Sequence, residues 1–396
     1  MNGFKLNTLN TLLALVFLAI PSLARAEAPR PELDAAKLSA IPDRMKQLID
    51  QHEIAGAVTL VATRDQAVVK AVGQANIAGN EPMKPDSIFW IASMTKPVTA
   101  TCVLMLQDEG KLSVDDPVAK YLPEFGELKT PSGKPANLTL AHLLTHTSGM
   151  DNADAETRDA KTLADLIPAY VKKTTHFEPG SKWEYCQSAI NTLGRIIEVV
   201  SGEPYDQFVQ KRVLDPLGMK DTTFYPTKEQ LPRIAKSYKK VNYSLEESPI
   251  LFLSGKGPSS HDRAPRPNGG LFSTAADYGR FCQMLLSGGA FEGKTYLKPE
   301  TFKLMTTIQT GDIHTGFTEG NGWGLGVCVV RQPQAITAML SPGTFGHGGA
   351  FGTQGWVDPQ RQMIFVLLVQ RTGFGGSDTS QVHEAFQQLA VDAVTK

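Results

Sequence analysis

The sequence predicts a mixed α/β (α+β) fold: one antiparallel sheet flanked by helices from both ends of the chain, with a mostly helical lobe inserted between its early and late strands. Three observations predict it. Two β-branched runs stand near the start, three strand-like runs stand near the end, and helical periodicity with Pro/Gly/Asp turns dominates between them.

Met1-Asn2-Gly3-Phe4-Lys5, an apolar stretch from Leu12 to Ile20 and Ala24-Arg25-Ala26 together predict a secretory signal over 1–26. Its apolar core is too short to span a bilayer, and no cysteine stands at the cleavage site to take a lipid. The expectation is an exported protein, periplasmic or secreted, with no membrane anchor once the signal is removed. Leu38, Ile41, Met45, Leu48 and Ile49 then set a helical period over 31–53. Ala57-Val58-Thr59-Leu60-Val61-Ala62-Thr63-Arg64 and Ala67-Val68-Val69-Lys70-Ala71-Val72-Gly73, separated by Asp65-Gln66, read as a hairpin.

From 112 to 263 the strand character gives way to helical patterns, as at 188–201 (Ile190, Leu193, Ile196, Ile197, Val200) and 205–214. Segment 228–266 is polar with scattered prolines and glycines, which predicts a long surface excursion near the site. Three late strands are expected at 324–331, 353–358 and 362–369, and a closing helix at 377–394. The chain thus divides into a body, 27–111 with 264–396, and a lobe, 112–263.

A net charge of −1 with no basic block argues against nucleic acid and anionic membranes as partners. Cys102, Cys186, Cys282 and Cys328 are widely spaced without a Cys-x-x-Cys pair, and three of them lie in apolar segments; buried free thiols are expected, with one disulfide as the alternative in an exported chain.

The chemistry centres on Ile88-Phe89-Trp90-Ile91-Ala92-Ser93-Met94-Thr95-Lys96. An apolar run delivers a serine, and a lysine follows three positions later. Val98, Cys102, Met105, Leu106 and Glu109 continue as a helix that Gly110 ends, so Ser93 sits at its first turn and Lys96 one turn on, on the same face. A serine hydroxyl needs a base to take its proton, and a lysine amine can be that base if burial lowers its pKa. A second Ser-x-x-Lys, Ser237-Tyr238-Lys239-Lys240, lies in polar sequence with no helix behind it and reads as a decoy.

No serine fits Gly-x-Ser-x-Gly. His142 and His146, four apart, could share a helix face as metal ligands, but Leu143 replaces the expected glutamate and no third ligand is evident; a helix end is the better reading and no metal is expected. Tyr185-Cys186-Gln187 offers a phenol for proton transfer. Phe345-Gly346-His347-Gly348-Gly349-Ala350-Phe351-Gly352-Thr353 reads as a glycine-rich turn ahead of a strand, open to close approach, and a backbone N–H there could join that of Ser93 in an oxyanion hole.

Ser93-Met94-Thr95-Lys96, Tyr185-Cys186-Gln187 about ninety residues on, and His347-Gly348-Gly349, in that order, resemble the three active-site elements of the serine β-lactamase and penicillin-recognising superfamily. The resemblance is to the branch of class C β-lactamases, D-aminopeptidases, D-alanyl-D-alanine carboxypeptidases and β-lactamase-like esterases. Leu143-Leu144-Thr145-His146-Thr147-Ser148-Gly149, Asp215-Pro216-Leu217-Gly218-Met219 and Gly269-Gly270-Leu271-Phe272-Ser273-Thr274-Ala275 are similar to that branch as well. The resemblance implies Ser93 as acylated nucleophile, Lys96 as its base, Tyr185 as proton relay, and the N–H groups of Ser93 and Ala350 as oxyanion hole. Gln187, His347, Gly348 and Gly349 would contact the substrate.

Two departures bear on substrate. Gln187 stands where the family usually has asparagine. His347-Gly348 replaces the lysine and threonine that help hold a substrate carboxylate in β-lactamases, leaving at most a weak cation near neutral pH. The implied activity is an exported serine hydrolase acting on an ester or amide of a small molecule or peptide, without a cofactor. A true β-lactamase or D,D-peptidase, and a non-catalytic binding module, are the alternatives.

Overall fold

The computed structural model describes residues 31–316, 318–374 and 380–395 besides Met1; the expected signal segment, but for Met1, lies outside the described residues. An eight-stranded sheet forms the centre, in the order Asn321–Trp323, Cys328–Val330, Phe345–Gly348, Gln354–Asp358, Met363–Leu368, Gly56–Ala62, Ala67–Asn76, Glu81–Pro82. Every neighbouring pair is antiparallel. The earliest and the last long strand lie side by side at its middle, with Val58 opposite Leu368 and Leu60 opposite Val366.

Side-chain alternation explains why these two strands are apolar throughout. Val58, Leu60, Ile364 and Val366 face one layer of core, and Ala57, Val61, Phe365 and Leu367 face the other. The first and last helices, Ala35–Asp50 and Gln381–Asp392, cover the second face with Leu38, Ile41, Met45, Leu48, Val382 and Phe386. The helix Ala275–Leu286 covers the first face, where Gly279 lets it approach so closely that a Cβ would stand 2.6 Å from Leu60. The Thr95–Asp108 helix is enclosed on all sides, with twelve buried residues from Thr95 to Leu106, Lys96 and three threonines among them.

Between the strands lie the helices Leu140–Leu144, Gln187–Ser201 and Tyr205–Val209, the last continuing as a π-turn through Leu214. Two expectations need correction, and two further elements were not foreseen. Segment 324–331 is a turn followed by a short strand, since Gly326 takes φ +78° and its N–H donates to the Leu144 carbonyl. Phe345–Gly348 is a strand, not a turn. The polar excursion contains a hairpin, Tyr238–Val241 with Ser244–Glu247. A two-residue ladder, Phe89–Trp90 with Phe272–Ser273, stands directly ahead of Ser93. The decoy serine donates to the Ser248 carbonyl and Lys240 pairs with Glu53, so both are taken up by structural bonds. All four cysteines are buried, Cys102, Cys186 and Cys282 as free thiols.

Candidate active site

The backbone that delivers Ser93 is held out of its relaxed form. Ala92 takes φ +47°, which costs an alanine about 1–2 kcal/mol. Its neighbours fix that conformation. The Thr95 hydroxyl donates to the Ala92 carbonyl at 2.7 Å, the Ile91 N–H donates to the Leu271 carbonyl at 3.0 Å, and the Tyr278 hydroxyl donates to the Met94 carbonyl at 3.0 Å. The tight turn Ala92–Met94 then runs straight into the Thr95–Asp108 helix. Ser93 is half-buried, so a reactant can reach its hydroxyl.

Lys96 is fully buried. Its Nζ lies 3.0 Å from Ser93 Oγ, 2.8 Å from Gln187 Oε1 and 2.7 Å from the Asn268 carbonyl oxygen, and 4.6 Å from the centre of the Tyr185 ring. Two carbonyl oxygens take the two N–H bonds of a neutral amine and leave its lone pair for the Ser93 proton. Burial holds Lys96 well below the usual lysine range; the neighbouring Cys186 thiol, itself pushed up by burial, carries no charge near neutral pH to oppose it. The cluster can therefore move a proton from serine to lysine.

Gln187 opens the helix Gln187–Ser201, whose first N–H groups are capped by the Asn152 side chain at 2.7 and 3.4 Å. The Gln187 Oε1 also accepts from Asn268 Nδ2 at 2.9 Å, so its position is fixed by both partners. Tyr185, two residues before, reaches His347: the phenol oxygen lies 3.4 Å from Nε2. The other ring nitrogen, Nδ1, stands 2.6 Å from the Gly348 carbonyl and must donate to it. The neutral ring thus carries its proton on Nδ1 and offers Nε2 as acceptor to the phenol. Burial pushes His347 down to about 3, with the Lys96 charge acting the same way. The expected weak cation is corrected here: near neutral pH His347 is uncharged.

The turn after Phe345–Gly348 packs against the backbone entering Ser93. Thr353 Oγ1 donates to the Ile91 carbonyl at 3.2 Å, and a Cβ on Gly349 would stand 2.1 Å from that hydroxyl and 2.6 Å from the Ile91 oxygen. Only glycine permits this approach. Ala350 follows it, exposed at the tip of the turn. Gly349→Ala is expected to push this turn away and lower kcat for ester hydrolysis by about 10²–10³, the scale of losing one oxyanion donor, with KM little changed. Steady-state kinetics within twofold of wild type would show that the approach does not matter.

Ser93, Lys96, Gln187, Tyr185 and His347 thus form one cluster, with Gly348 supplying the carbonyl that orients His347. The two histidines read as possible metal ligands part company: His142 Nδ1 accepts the Thr139 N–H at the helix start, while His146 lies beyond the helix end, buried at φ +58°. Asn268 escaped sequence reasoning, although it directly precedes the Gly269-Gly270 stretch.

Residues 41–390 match the Beta-lactamase family. The chain belongs to this family. It is a serine hydrolase. Among its relatives is esterase EstB of Burkholderia gladioli, 30% identical over 87% of this chain and 93% of that protein. A putative D-alanyl-D-alanine carboxypeptidase of Escherichia coli strain K12 is 28% identical over 90% of each. Among solved structures, EstCE1, a hydrolase with promiscuous acyltransferase activity, superposes with a TM-score of 0.76 at 25% identity, over 90% of this chain and 98% of that one. Esterases and carboxypeptidases thus both occur among the family relatives of this fold.

Proposed function

We propose that the protein is an exported carboxyl-ester hydrolase working through an acyl-Ser93 intermediate. The observation that carries this reading is the state of the two basic groups at the site. Lys96 is held toward its neutral form, and His347 is uncharged with both ring nitrogens engaged. A substrate carboxylate would meet no fixed positive charge there, whereas a neutral ester needs none.

In the proposed cycle Lys96 takes the Ser93 proton as Oγ bonds to the ester carbonyl carbon. The carbonyl oxygen, now negative, is stabilised by the N–H groups of Ser93 and Ala350. Tyr185 gives its hydroxyl proton to the departing alkoxide and is reprotonated from Lys96, which returns the base to its neutral form. Water then attacks the acyl carbon, passing its proton through the same pair to Ser93 Oγ as that bond breaks. The chain divides in this reading into a body, 27–111 with 264–396, that supplies Ser93 and His347, and a lobe, 112–263, that supplies Tyr185 and Gln187. The signal-like segment 1–26 supports export, and among the described residues no helix is long and apolar enough to cross a membrane.

The test compares short-chain nitrophenyl esters, a chromogenic cephalosporin and a D-alanyl-D-alanine peptide on purified protein. Ester kcat/KM is expected to exceed the other two by at least about ten- to a hundredfold, the cost of one unpaired charged hydrogen bond in the carboxylate substrates. Faster turnover of cephalosporin or D-peptide would reverse the assignment.

A further inference from the structure

Tyr185 must be aimed at the Ser93–Lys96 pair if it is to relay protons, and one residue outside that group holds it from three directions. The Glu184 N–H donates to the His146 carbonyl at 2.9 Å, and the Cys186 N–H donates to His146 Nδ1 at 3.1 Å. The His146 ring lies on the Tyr185 ring, with centres 4.5 Å apart and planes at 42°. Trp323 backs the imidazole at 5.1 Å and 70°.

We propose that His146 is the positioning residue of Tyr185, clamping the chain on both sides of the phenol and bearing on its ring. Three features mark it as built for a role other than stability. It is fully buried, it adopts φ +58° without being glycine, and its Nε2 has no hydrogen-bond partner among the described residues. Because Nδ1 accepts, the neutral ring carries its proton on Nε2, and the rings of Trp183, Tyr185 and Trp323 pack against the imidazole. Burial keeps the ring in that neutral form. Protonation would give Nδ1 a hydrogen and break the bond to Cys186.

The inference rests on the proton-relay reading of Tyr185, and the test separates the two. kcat and KM for a nitrophenyl ester are measured for His146→Ala, His146→Asn, Tyr185→Phe and both double variants. His146→Ala should lower kcat about ten- to a hundredfold with KM within about threefold, the effect of a misplaced catalytic group. Asparagine tolerates positive φ and brings its carboxamide oxygen near the place of Nδ1, so His146→Asn should lose only about three- to tenfold. Both losses should shrink below about twofold once Tyr185→Phe has removed the group being positioned. Equal losses in both backgrounds, or wild-type kcat in His146→Ala, overturns the inference. If His146→Ala does not fold, the asparagine variant carries the same comparison alone. Wild-type turnover by Tyr185→Phe overturns the relay reading and the inference with it; slow Tyr185→Phe with additive His146 losses overturns the inference alone.

Discussion

Ser93→Ala is expected to reduce ester turnover by about four to six orders of magnitude, because no acyl-enzyme can form and only positioning of water on the substrate remains. The substitution removes one oxygen from a half-buried side chain. Lys96 keeps its bonds to the Gln187 and Asn268 oxygens, and the turn at Ala92–Met94 is held by bonds from Thr95, Tyr278 and Ile91 that do not involve the serine hydroxyl. Thermal unfolding should therefore be close to that of wild type, and the loss should lie in chemistry. Intact-mass measurement after a fluorophosphonate gives a second readout: one adduct on the wild type, none on the variant. An alanine variant that still takes the adduct, or retains more than about a hundredth of the wild-type rate, would place the nucleophile elsewhere. A wild-type protein that takes none and turns over nothing would leave the site a binding module.

The elements that sequence reasoning found are those whose cause is local. Ser93 and Lys96 are one helical turn apart, so their proximity follows from backbone geometry alone. The central strands carry continuous apolar runs because both faces are covered, which reads directly from Gly56–Ala62 and Met363–Leu368. What escaped is set by contacts distant in sequence. Phe345–Gly348 reads as a turn because of its glycines, yet a Cβ on Gly346 would stand 2.2 Å from the Gly355 oxygen of the next strand, so the sheet itself demands glycine. The hairpin Tyr238–Val241 with Ser244–Glu247 lacks an apolar face and is laced with surface ion pairs such as Lys239–Glu246. Asn268 and His146 act through partners 172 and 40 positions away, which no local pattern announces. His347 was legible as a site residue but not as a neutral one, since its charge is decided by burial and by the Gly348 carbonyl.

Lys96→Met should lower kcat/KM by about two to four orders of magnitude, the range for loss of general base catalysis. Methionine keeps an unbranched stem in a fully enclosed site and removes only the amine. The pH dependence makes the case specific. The base works in its neutral form, so wild-type kcat/KM should rise with pH and level off well below 10.5, because burial lowers the Lys96 pKa. In the methionine variant that limb should disappear from what activity is left. Stability should follow the same group. Between the lowered pKa and 10.5 the folded protein binds fewer protons at Lys96 than the unfolded chain does. Wild-type stability therefore gains from Lys96 as pH rises through that window, and the gain is lost as pH falls back through it; Lys96→Met lacks this contribution. Denaturant titrations of both proteins across the window measure it. An unchanged acidic limb in Lys96→Met would assign the titrating base to another residue, and identical stability slopes would mean that Lys96 is protonated in the folded state. The two measurements are independent, one reading the transition state and the other the resting protein. Their agreement is required of an amine that is kept neutral in order to take a proton.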